Sequence, residues 1–404
     1  MRENEIQCES LLEPRQHHAL PDSLHDNLHG HGQVAAPQDP QPTTARPTIS
    51  VIMPTCGRSP WLDLAIESVL RQSYAPVELI VVDDRPQGET EELCEAMTLL
   101  GAGASLASST QVSPQSGATP EAENVAHAKV PLRWLRTYGA GAAFARNTGV
   151  QAASGDWIAF LDDDDAWQTE KLARQIESAL RSEALYPVLS CRMLVQTATA
   201  EYEFPRQSYD GREPLAEYLF CRKGLRAGKG WVQTSTLLAP RALLLAEPWN
   251  AALKLHQDWD WLLRITARND VCLRMIDAPL AVYRTEDGRS TISRRPDWRA
   301  SLDWIRSQRK GVSPQAAGWF IAVECVWRAR AAHARWRDWG VLLHGFFTEG
   351  RMTTGAMLAF AAFALFPVDW RKRLRNRCWS QPANPKPVIR WGWMGGALFP
   401  ARKN

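Results

Sequence analysis

Four consecutive carboxylates, Asp162 to Asp165, are the residues of this chain best suited by type and spacing to do chemistry. Acids set this close repel one another and lose hydration, and a cation among them is the economical relief. Hard oxygen donors of this kind suit Mg²⁺ or Mn²⁺, above all where phosphate oxygens complete the shell. A divalent ion holding a diphosphate is the first chemistry the run suggests. An isolated acidic run is more often a solvated turn or the start of a helix. This one directly follows Trp157-Ile-Ala-Phe-Leu161, which sets it at the C-terminal edge of a buried strand, where open α/β sheets bind ligands.

The elements that must position these acids can be read from periodicity. Ile49 to Met53 is an apolar strand ended by Pro54, Trp61 to Gln72 has helical apolar spacing, and Glu78 to Val82 is a second buried strand ended by Asp83-Asp84. This β-α-β rhythm with continuous apolar runs predicts a parallel sheet covered on both faces. A short strand over Leu132–Arg136 follows, and Gly139-Ala-Gly141 opens an Ala-rich helix that carries Arg146 and Asn147. Beyond the acids come a helix over about 170–182, a strand over 188–195, the segment 231–238, and a helix opened by Asp258 and Asp260. A last strand lies near 281–284. Acids in a first turn also favour a helix N-terminus, a purely structural reading of Asp258.

Residues 1–47 are rich in Pro, Gln and His without apolar periodicity and are expected to be a disordered tail, its histidines solvated. Residues 101–128, poor in large apolar side chains, are expected to be a mobile insertion. The net charge of +3 over 404 residues gives no support for nucleic-acid binding. Eight scattered cysteines, without CxxC or zinc spacing, fit reduced thiols in a cytoplasmic protein. Glu3, Glu5 and Glu9 stand where a signal peptide needs a basic start. From about 297 the chain becomes a Trp-, Arg- and Ala-rich helical region. Within it the apolar stretch 355–366 and the basic flank 370–377 are read either as a core helix or as a helix at an anionic membrane surface, with Phe360, Phe363 and Phe366 in lipid.

Taken together, Pro54-Thr55, Asp83-Asp84, Ala145-Arg146-Asn147-Thr148-Gly149, Leu161-Asp162-Asp163-Asp164-Asp165 and Gln257-Asp258 resemble the family 2 glycosyltransferases of the GT-A fold. The resemblance covers about 48–290. It implies a Rossmann-like, doubly covered mixed α/β sheet over 48–296 with a C-terminal helical extension over 297–404. It also implies a donor site at the C-terminal ends of the strands: Pro54 and Thr55 lining it, Arg58 and Arg146 beside the diphosphate, Asp84 facing the base and Asp163 the ribose. Asp164 and Asp162 would hold the metal, and Asp258 would be the catalytic base in a motif usually written Glu-Asp, here with Gln257.

Two departures limit what carries over. No QxxRW follows Asp258, the mark of processive members, so one or few additions are expected. Arg284-Thr-Glu-Asp-Gly-Arg-Ser290 stands where members often place a pyrophosphate-binding His, for which Arg284 or Arg289 could substitute. The reading implied is inverting transfer of a sugar from a nucleotide-diphosphate sugar to a glycan or lipid-linked acceptor in bacterial surface polysaccharide assembly, on the inner face of the cytoplasmic membrane. A catalytically silent nucleotide-binding scaffold is the alternative. A nucleotidyltransferase is disfavoured because Met53-Pro-Thr-Cys-Gly-Arg58 is a poor triphosphate loop, and a Rossmann dehydrogenase lacks its GxGxxG.

Overall fold

The computed structural model describes residues 46–57, 61–86, 130–197, 200–222, 230–285 and 295–366. The expected tail up to residue 45, the 101–128 insertion, Arg58, Arg289 and the basic flank 370–377 lie outside the described residues. Strands β1 (Ile49–Thr55), β2 (Glu78–Asp83), β3 (Leu132–Arg136) and β4 (Trp157–Phe160) form the parallel half of the sheet, in the order β3-β2-β1-β4. Their apolar runs place Ile49–Thr55 and Glu78–Asp83 wholly in the interior, as strands covered on both faces must be. The other strands are β5 (Ala166–Trp167), β6 (Tyr186–Thr197), β7 (Glu201–Phe204), β8 (Leu238–Pro240) and β9 (Val271–Thr285). The sheet continues β4-β8-β6-β9-β5, with β8 antiparallel to both neighbours, so it is mixed.

Helices α1 (Leu62–Leu70), α2 (Ala142–Ala152), α3 (Lys171–Leu180), α4 (Leu215–Phe220), α5 (Arg241–Ala246) and α6 (Gln257–Thr266) accompany the strands. Side chains on the two sheet faces form two separate hydrophobic clusters, one with Val51, Val69 and Leu172, the other with Ile52, Val150 and Trp261. Beyond residue 297 come α7 (Trp298–Ser307), α8 (Pro314–Phe320), a π-turn over Ile321–Cys325, and α9 (Val326–Ala331), α10 (Trp336–Glu349) and α11 (Thr354–Leu365). Trp298, Trp304, Phe320 and Phe360 join the same cluster as Ile52 and Phe160, so these helices extend the core of the sheet.

The 355–366 stretch is neither wholly core nor wholly surface. Ala356, Ala359 and Phe360 are buried, whereas Met357, Leu358, Leu365 and Phe366 are exposed. The expectation that Phe360 and Phe363 face lipid is corrected: Phe360 packs on Phe346 at 5.2 Å between ring centroids, and Phe363 lies against the core and the Arg222 guanidinium.

Candidate active site

The acid cluster begins two residues past the end of β4, and its members are held differently. Asp165 is fully buried and accepts from Gln233 Nε2 and Ser235 Oγ, both at 2.6 Å. Burial, then the negative fields of Asp164 and Asp162, push its carboxyl well above the usual range, against those two hydrogen bonds. Asp165 acts as a strut, tied through Ser235 to the Asp162 N–H at 3.0 Å. Asp163 accepts from Thr55 Oγ1 at 2.6 Å, joining the ends of β4 and β1. Asp162 accepts from Arg146 Nη2 at 2.8 Å.

Arg146 is delivered by α2, whose close approach to β1 depends on Gly149: a Cβ there would sit 2.6 Å from Ile52 Cγ2. The buried guanidinium lies 5.2 Å from the Trp249 ring and donates from Nη1 to Gln257 Oε1 at 3.2 Å. Asn147 holds the same loop twice, donating to Trp249 O and accepting from Trp249 N–H at 2.8 and 2.9 Å. One arginine therefore connects the acid cluster to the first turn of α6. Gln257 is a neutral acceptor for it.

Asp258 sits in that first turn, partly buried, with Oδ1 accepting from the Trp259 N–H at 3.0 Å. Burial raises its carboxyl to about 6; the Trp259 N–H and Arg146 oppose the rise and Asp162 adds to it. The residue before Gln257, His256, has φ of 60° and is clamped from α7. Its Nε2 meets Ser301 Oγ at 2.8 Å, and its ring stacks on Trp259 and packs on Trp304. Asp260 accepts from Trp304 Nε1 and Gln308 Nε2, both at 3.2 Å.

At the other edge, Asp84 ties the loop before α2, accepting from Thr137 Oγ1 at 2.7 Å and from Gly141 N–H at 2.8 Å. Gly141 has φ of 99°, a conformation that side chains avoid. Asp83 is spent on a bidentate pair with Arg85. Pro54 lies buried in β1 opposite Val82.

Arg284, near the end of β9, lies 5.1 Å from the Trp61 ring and within the field of Asp165 and Asp164. Its buried Nη1 has no hydrogen-bond partner among the described residues. Gln233, Ser235 and Trp249 were not marked by the sequence pattern, because neither motif nor charge distinguishes them from ordinary polar or core residues. Among the described residues no three His, Cys, Asp or Glu side chains form a ready-made metal cage.

The family model described as "Glycosyl transferase family 2" matches residues 50–106 and 121–232, which carry the acid cluster, Arg146 and the β1 and β2 ends. Residues 50–232 are those of glycosyl transferase family 2. The break in the match falls inside 101–128, and Asp258 lies beyond its end. The amylovoran biosynthesis glycosyltransferase AmsB of Erwinia amylovora is 25% identical over 267 residues, 65% of this chain and 78% of that protein. The UDP-Glc:alpha-D-GlcNAc-diphosphoundecaprenol beta-1,3-glucosyltransferase WfgD of Escherichia coli is 31% identical over 134 residues, 33% of this chain and 42% of its own. Among solved structures, S. aureus TarS aligns over 81% of this chain and 55% of its own, at 15% identity and a TM-score of 0.44.

Proposed function

We propose that this glycosyltransferase moves a sugar from a nucleotide-diphosphate sugar to an acceptor hydroxyl with inversion at the anomeric carbon. The observation that carries the reading is Arg146, which bonds Asp162 of the acid cluster and Gln257 beside Asp258, and so links the acids to a carboxylate of raised basicity. Asp258 takes the proton of the acceptor hydroxyl as its oxygen forms the bond to the anomeric carbon. The bond from that carbon to the diphosphate breaks with its electron pair, and the nucleoside diphosphate leaves. Arg146 and Arg284 face the negative charge that develops on the leaving oxygens. Asp164 and Asp162 would hold Mg²⁺ or Mn²⁺, which neutralises that diphosphate when bound. Asp84, Asp163, Pro54, Thr55 and Arg58 complete the donor side.

Relatives named for amylovoran and for a diphosphoundecaprenol acceptor support a bacterial surface polysaccharide as the product and a lipid-linked glycan as the acceptor, at the inner face of the cytoplasmic membrane. The test combines donor and metal. UDP-, GDP- and dTDP-sugars are screened for metal-dependent thermal stabilisation, and the responsive donor is titrated into Asp164→Ala by calorimetry with Mn²⁺ present. One donor should stabilise the parent by about 2.7 kcal/mol at a hundredfold excess over Kd, read as a higher melting temperature, and Asp164→Ala should lose that effect. Equal binding by parent and variant removes the acid cluster from the metal site. Donor binding without turnover on any lipid-linked acceptor favours the silent scaffold.

A further inference from the structure

α10 and α11 meet through Phe346 and Phe360, and each turns an apolar stripe outward, on α10 beside the exposed Arg337, His344 and Thr348. On α10, Trp336, Gly340, Leu343 and Phe347 recur at intervals of three or four residues, which stacks them on one stripe. Trp336 is 78% exposed and Phe347 57%. On α11 the outward stripe is Met357, Leu358, Ala361 and Leu365, with Leu358 57% and Leu365 72% exposed, and residues 354–366 contain no charged side chain. A helix apolar on all sides is ordinarily enclosed, and exposed apolar patches of this kind mark a contact surface.

The rim decides what the contact is. Arg335, Arg337 and Arg351 are exposed beside the stripes. The acids between 331 and 366 are Asp338 and Glu349, and both are engaged by arginines: Asp338 by Arg299, Glu349 by Arg306 and Arg309. The face is therefore apolar at its centre and cationic at its edge, with no acid left to answer a second cationic rim. A second copy of this chain docked face to face would bring like charges together. A bilayer bearing anionic head groups matches both parts at once, with Trp336 at the boundary where its ring is half apolar and half polar. Spanning is excluded by length: the 12 residues of α11 measure about 18 Å at 1.5 Å per residue, short of the roughly 30 Å hydrocarbon layer, and no helix among the described residues is long and apolar enough to cross.

We infer that the outer faces of α10 and α11 together form a surface that lies in an anionic membrane interface, with Trp336, Leu343, Phe347, Met357, Leu358 and Leu365 inserted among the lipids. This assignment rests on the membrane location proposed above and specifies the surface that makes the contact. It is independent of the sugar-transfer chemistry, since none of these residues belongs to the donor site.

The experiment is co-sedimentation of the full chain with vesicles of phosphatidylglycerol and phosphatidylcholine, or of phosphatidylcholine alone. It is run on the parent, on Phe347→Gln/Leu358→Gln and on Arg337→Gln/Arg351→Gln. All substitutions are at exposed positions, and unchanged thermal unfolding and donor binding verify the fold. The parent should partition to the anionic vesicles and much less to the neutral ones. The apolar variant should lose about tenfold or more of that partition, and the arginine variant about fivefold per charge, with salt weakening the parent. A parent that binds no vesicles overturns the membrane location itself. A parent that binds while the apolar variant binds as strongly overturns this surface and leaves the location standing. Self-association of the parent that is lost in the apolar variant, without vesicle binding, assigns the face to a second copy instead.

Discussion

Burial lifts the Asp258 carboxyl to about 6, with the Trp259 N–H and Arg146 opposing and Asp162 assisting, and this has opposite consequences for rate and for stability. As the proposed base it must be ionised, so kcat/KM should fall about tenfold per pH unit below pH 6 and level above it. Stability runs the other way. An unfolded Asp releases its proton near 3.9, so between about pH 4 and 6 the folded chain holds a proton that the unfolded chain has lost, and stability declines as pH rises through that window. Asp258→Asn removes the penalty. The variant should be more stable than the parent above pH 6 by roughly 1–3 kcal/mol, lose the acidic limb, bind donor normally, and turn over about 10² to 10⁴ times more slowly. An Asp that only favours a helix N-terminus contributes about 0.3–1 kcal/mol, so on that reading Asn destabilises at every pH above 4 and turnover is unchanged. Denaturant unfolding and initial rates measured across pH 4–8 decide between them. At this scale the sequence identified the acids by type, and Arg284 was visible as the residue standing where a His is usual. The division of labour inside Asp162–Asp165 was not visible, because it depends on Gln233, Ser235 and Thr55, which reach the cluster only through the fold.

Positioning of the site rests on helices pressed against strands, and α2 on β1 is one such contact. Glycine inside a helix costs about 1 kcal/mol relative to alanine, so Gly149→Ala would ordinarily stabilise. Here the added methyl meets Ile52 Cγ2 at 2.6 Å, and Ile52 is a β-branched side chain, fully buried in β1, with little freedom to yield. Overpacking of this kind costs about 1–3 kcal/mol and pushes the helix outward. Gly149→Ala should therefore lower the melting temperature and weaken donor binding together, because Arg146 rides on the displaced helix. Calorimetry of donor binding checks this, and stabilisation with unchanged affinity would show that the contact is loose. β1, β2 and β4 were legible because buried parallel strands are continuous apolar runs. β9 was legible only at its end: Val271–Thr285 interleaves Arg274, Asp277 and Pro279 with apolar residues, and its register against β6 shifts around Arg192. β5 has two residues and no pattern of its own; it exists because Ala166 and Trp167 pair with β9.

The molecule as a whole does not divide where its composition changes. The shift near residue 297 suggests a separate helical region, yet α7 and α8 close the hydrophobic cluster that begins in the sheet. Phe220 of α4 packs on Phe320 at 5.1 Å and on Trp304 at 6.3 Å between ring centroids, and Trp259 of α6 packs on both. Flanking Asp258, His256 shares a hydrogen bond with Ser301, and Asp260 accepts from Trp304 and Gln308. His256 is buried so deeply that desolvation, with Arg328 nearby, lowers it to about 3; it is neutral in the folded chain at pH 7. Cutting the chain after residue 296 would expose Phe220 and Trp259, leave the His256 ring and the Asp260 carboxylate without those partners, and open the first turn of α6. Burial of each large apolar side chain contributes about 1.5–3 kcal/mol, and each buried polar group left unpaired costs about 1–3 kcal/mol, against a total stability of about 5–15 kcal/mol for a typical domain. The 1–296 chain should therefore fail to unfold cooperatively on heating and should bind hydrophobic dyes in buffer, although it retains Asp164, Arg146 and Asp258. Differential scanning calorimetry with a donor titration checks this. A truncated chain that melts in one sharp transition and binds donor as the parent does would show that α7 to α11 are an accessory to a self-sufficient catalytic domain.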